Sequence, residues 1–113
     1  MITQKLDILK ESNVIDQEIY SFILKVIDSL KEQGINESEQ TETFLIHLAM
    51  AAARRKNEEQ PIEPLSESIQ NDMMSDSRFS RAQDIWDILK NISPFSFGEE
   101  ETGYFHLHIC SML

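Results

Sequence analysis

The chain has 113 residues, 41% hydrophobic and 27% charged, which sets the expectation of a single globular domain spanning residues 1–113. Ten basic against twenty acidic residues leave a formal charge of −10, and the longest basic run is Arg54-Arg55-Lys56, so direct nucleic-acid binding and adhesion to anionic membranes are not expected. The single cysteine, Cys110, excludes an intrachain disulfide, and neither a secretion signal nor an apolar run near the ~20 residues of a membrane span is visible, so a cytoplasmic protein is expected.

In chain order, residues 1–14 read as an N-terminal extension or short helix, with Ile2, Leu6 and Leu9 at helical spacing. The clearest helix runs from about Asp16 to Gln33, where Ile19, Phe22, Ile23, Val26, Ile27 and Leu30 form one stripe. Gly34 is placed to end it in a left-handed conformation, with Ile35 folding back on the last turn. Asn36 followed by Glu39 predicts a reciprocal cap for the next helix, whose middle, Phe44 to Ala53, is apolar nearly all round. Arg54, Arg55 and Lys56 stand at its C-terminal end, where cations complement the helix dipole.

Glu58 to Pro64 reads as a polar linker, with Pro64 placed to start a third helix carrying Leu65, Ile69 and Met73 at four-residue steps. After a break near Ser75 to Ser77, Phe79, Ala82, Ile85, Trp86 and Leu89 share one face of a fourth helix that ends before Pro94. Ser96 with Glu99 predicts a capping box opening a fifth. The expected fold class is all-α, a compact bundle of about five helices.

No glycine-rich phosphate loop, nucleophile elbow, His-Glu-x-x-His pair or Cys-x-x-Cys is present, so an enzyme is not expected and no cofactor is implied. The acidic groups Glu58-Glu59 and Glu99 to Glu101 read as solvated charge and dipole complement. Two histidine features stand out. His47 lies in the middle of an apolar helix, and seven residues at ~100° each return Arg54 to nearly the same face. This leaves two readings: a core histidine bonded to a neighbour, or a nucleophile or phosphate acceptor with a cation nearby. His106 and His108 would share a face on a strand and, with Cys110, would form a metal edge; on a helix they point about 200° apart and cannot ligate one ion together. The start signal at Ser96 to Glu99 favours the helix. Trp86 and the methionines read as core, with Met73-Met74 alternatively contributing an adaptable surface.

Two of these segments together resemble a known family. Thr43 to Arg54, centred on His47, resembles the first histidine helix of the phosphotransferase-system regulation domain, PRD, and Glu100 to Ile109 resembles its second histidine signature. The resemblance covers nearly the whole chain from about Ile15; the departures are Thr102, at a position usually apolar in the family, and His106, at one usually small and apolar. It implies a dimeric helical bundle with His47 and His108 as phosphate acceptors, Arg54 supporting the phosphate, and HPr or a sugar-specific enzyme II B component as donor. Phosphorylation would then set the activity of a transcription regulator. At this length a stand-alone, antiterminator-related PRD is expected, passing its signal through dimer contacts or to a separate regulator protein. Two readings compete: a helical interaction or assembly protein without histidine phosphorylation, and a metal-binding protein using His106, His108 and Cys110.

Overall fold

The computed structural model describes residues 2–58 and 65–113, and its regular elements are six helices: α1 (Ile2–Glu11), α2 (Gln17–Glu32), α3 (Glu39–Lys56), α4 (Glu67–Met74), α5 (Phe79–Ile92) and α6 (Glu99–Met112). The expectation of about five is corrected at the N-terminus. Ile2 and Leu6 are fully buried, and α1 packs on α2 and α3 as a complete element. Polar contacts fix it there, Lys5 to Glu42 at 2.9 Å and the Tyr20 hydroxyl donating to Asp7 at 2.7 Å.

α2 follows its sequence signals closely. Asp16 caps it, accepting from the Ile19 N–H at 2.9 Å, and the stripe from Ile19 to Leu30 is buried except for Ile27, which is half-buried. Gly34 has φ +84°, and the Ile35 N–H donates to the Leu30 carbonyl at 2.9 Å, closing the helix as expected. The cap of α3 is different from the one predicted. Ser38, not Asn36, accepts from the Thr41 N–H at 3.2 Å, while the Asn36 carbonyl accepts from the Thr41 hydroxyl. Thr41 is buried, and its hydroxyl also lies 3.0 Å from the Ser38 hydroxyl, so both residues before the helix are tied to it. α6 likewise begins two residues later than a Ser96 cap would place it, and its cap is Gly98 without a side-chain bond. Pro64 lies outside the described residues; α4 is capped by Ser66, whose hydroxyl accepts from the Ile69 N–H at 3.3 Å.

α3 is the central element. Phe44, Leu45, Leu48, Ala49, Ala51 and Ala52 are all buried, because α1, α2 and α6 each pack against it. Its alanines give neighbouring helices room to approach. α6 in turn packs on both α3 and α5, and α4 rests on α6. An aromatic row joins these layers: Trp86 on α5 lies 4.6 Å from Phe105 on α6, which meets Phe44 on α3 edge-on at 6.1 Å. Among the described residues, no helix is long and apolar enough to cross a membrane.

Candidate functional site

His47 projects from the exposed strip of α3, and His108 from the half-buried side of α6 that faces it. Nδ1 of His47 lies 2.9 Å from Nε2 of His108, with the ring planes 68° apart. One ring donates and the other accepts, so the bond survives only while at least one imidazole is neutral. Burial, with the neighbouring His47 adding to it, holds the His108 pKa below the ordinary 6.5. Phe44, with its centroid 6.4 Å from the His108 ring, links the pair to the aromatic row.

A second polar contact crosses the same two helices. The Nε of Arg54 lies 3.9 Å from Oε1 of Glu101, which is 1% exposed. In each helix the two polar residues are seven apart, or two turns: His47 and Arg54 on α3, Glu101 and His108 on α6. The pairing His47 with His108 and Arg54 with Glu101 makes the helices antiparallel, with polar rungs ~10.5 Å apart along the axis. A cavity of about 650 Å³ lies along this seam, lined by both rungs and by Met50, Tyr104, Phe105 and Leu107.

The Arg54–Glu101 rung is under-satisfied. Neither carboxylate oxygen of Glu101 accepts a hydrogen bond from the described residues, and the Arg54 Nε has no acceptor among them. Burial raises the Glu101 pKa above the ordinary 4.5, against the pull of Arg54 and Arg55. Arg55 lies over the start of α6. A Cβ at Gly98 would stand 2.7 Å from its guanidinium, so glycine there leaves the arginine its place. The reading of Glu99 to Glu101 as solvated charge therefore fails at Glu101. Glu99 is exposed, whereas Glu101 turns inward beneath α3.

The unbroken helix α6 separates the third histidine from the pair. His106 packs edge-on against Phe79 of α5, at 5.6 Å between centroids, while His108 meets His47. Cys110 is buried, and burial raises its thiol pKa. Among the described residues no group of three or more His, Cys, Asp or Glu side chains is placed to hold a metal ion. Met73 is buried and Met74 exposed, and both line a cavity of about 550 Å³ beside Leu65 and Phe79.

The fold and site define a helical domain built around a histidine pair on two antiparallel helices. The PRD domain family matches residues 20–111, and the chain belongs to that family of phosphotransferase-system regulation domains. Neither the curated proteins nor the solved structures compared with the chain gave a match.

Proposed function

We propose that this chain is a non-enzymatic regulatory module that receives phosphate on His47 and His108 from phosphotransferase proteins and passes the signal on through contacts with a second copy or a regulator protein. The observation that supports it best is the bonded histidine pair beside a cavity that Arg54 also lines. With Nδ1 of His47 and Nε2 of His108 bonded to each other, the ring that donates has its other nitrogen bare and nucleophilic, Nε2 when His47 donates and Nδ1 when His108 donates, while the accepting ring carries its proton there. In the transfer, the lone pair of such a nitrogen attacks the phosphorus of a donor phosphohistidine. A new P–N bond forms, the donor's P–N bond breaks with its electron pair staying on the donor nitrogen, and the attacking ring gives up the proton on its other nitrogen, which balances the proton the donor ring takes up. The added group brings roughly −1.5 to −2 of charge into a chain already at −10, and a nearby arginine is the natural counter-ion. A contact made or broken at this seam would report the phosphorylation state.

The test is incubation with phosphorylated HPr and, separately, with a phosphorylated enzyme II B component, followed by mapping of acid-labile phosphate. Label is expected on His47, His108 or both. Absence of label on either histidine with both donors sinks the acceptor reading.

A further inference from the structure

We propose that Glu101 is a positioning residue for phosphorylation of the histidine pair: it is the resident counter-ion of Arg54, and the phosphoryl group must displace it to be held. This rests on the phosphate-acceptor reading of His47 and His108.

Three observations carry it. First, Glu101 is 1% exposed and lines the same cavity as both histidines. A buried carboxylate without hydrogen bonds is an expensive group to keep, so its placement needs a compensating interaction. Second, what it has is loose: Arg54 stands 3.9 Å away and forms no hydrogen bond with it. A fully formed arginine–carboxylate pair is bidentate, with N–O distances near ~2.8 Å. The pair is thus close enough to hold Arg54 at the seam by charge, and open enough for a better acceptor to compete. Third, Arg54 lines the same cavity as His47, which stands two turns earlier on the same face of α3. At 27% exposure it is also reachable from the cavity.

A phosphoryl group on His47 or His108 offers three strong acceptor oxygens and more charge than a carboxylate. Arg54 turns to it, and Glu101 is left in a buried position with only the weaker pull of Arg55. Loss of the Arg54–Glu101 contact therefore opposes phosphorylation, and the residue sets how readily the pair keeps its phosphate.

The experiment compares the full chain with Glu101→Gln, Arg54→Ala and the double variant, each equilibrated with the phosphorylated protein donor. Phosphoramidate, a small chemical donor, is run in parallel to show that the histidines accept phosphate. Glu101→Gln is expected to move the transfer equilibrium roughly tenfold towards the phosphorylated chain, on the scale of one charge-assisted hydrogen bond. Arg54→Ala is expected to move it the other way, and the double variant to match Arg54→Ala, since Glu101 acts through Arg54. A purely structural role would shift thermal stability without this dependence on Arg54.

A second measurement needs no substitution. The carboxyl carbon of Glu101 and the Nε of Arg54, followed by NMR in the unaltered protein, should both shift on phosphorylation. Label on the histidines with no change of equilibrium in Glu101→Gln, or with both NMR signals unmoved, overturns the role of Glu101 alone. Failure of the unaltered chain to accept phosphate from either donor overturns the acceptor reading as well.

Discussion

Burial acts in opposite directions on the titratable residues around the seam. His106 and His108 have folded pKa values below the ordinary 6.5, chiefly because burial penalises the imidazolium. Just below that value the unfolded chain binds more protons than the native one, so stability rises with pH there; the contribution is lost as pH falls through the folded values. Glu101, with its pKa raised, has the reverse sign: its contribution is present below the ordinary 4.5 and is lost as pH rises through the folded value. Urea midpoints measured across about pH 4.5 to about pH 6.5 should therefore show a flatter profile just below pH 6.5 in His108→Gln and a steeper one just above pH 4.5 in Glu101→Gln. An unchanged slope in His108→Gln would show that the imidazole is not desolvated as its position requires.

The same residues show what a sequence can and cannot disclose. His47 and Arg54 are readable as a pair because helical periodicity alone puts them on one face. Glu101 stands in an acidic triplet at a helix start, where the ordinary explanation is dipole complement, and it was misread for that reason. A signal was present: Glu101 and His108 repeat the seven-residue spacing of His47 and Arg54 with the charge order reversed, the pattern that two antiparallel helices need to match both rungs. Nothing in the spacing reveals that these two helices are neighbours.

Among the elements, α2 was legible end to end because its cap, stripe and terminating glycine agree. α3 was legible in its body but not at its start, where Asn36 and Ser38 are both good caps and the burial of Thr41 decides between them. Ser38→Ala should cost about 1 kcal/mol, the usual value of an N-cap, whereas Asn36→Ala, which keeps the carbonyl used by Thr41, should cost well under half of that. Chemical denaturation of the two variants measures the difference, and equal losses would contradict the observed cap. The body of α3 carries a second prediction. Ala52 is completely buried where helices converge, so Ala52→Leu should destabilise the fold by about 1–3 kcal/mol through overpacking, although leucine is a good helix former. A variant as stable as the unaltered chain would mean that α3 is packed less tightly than its burial indicates.

For the whole molecule the dominant fact is charge, twenty acidic residues against ten basic ones. Several cations act as clasps: Lys56 at the end of α3 bonds to Asp16 and Glu18 at the start of α2, and Lys5 joins α1 to Glu42 on α3. Salt weakens such exposed pairs, but each is worth little, and part of that little is the entropy of holding long side chains still. The unbalanced negative charge is felt by the molecule as a whole, more strongly when the chain is compact than when it is extended. Screening should therefore relieve more repulsion than it removes attraction. Raising ionic strength from about 0.01 M to about 0.3 M should raise the midpoint of thermal unfolding, by on the order of 3 °C. Phosphorylation adds further negative charge whichever partner Arg54 holds, so the rise should be larger for the phosphorylated chain. Scanning calorimetry of both forms at the two ionic strengths measures both rises. A midpoint that falls with salt would show that the clasps outweigh net repulsion. A salt response that phosphorylation leaves unchanged would show that the unbalanced charge is not what the salt relieves.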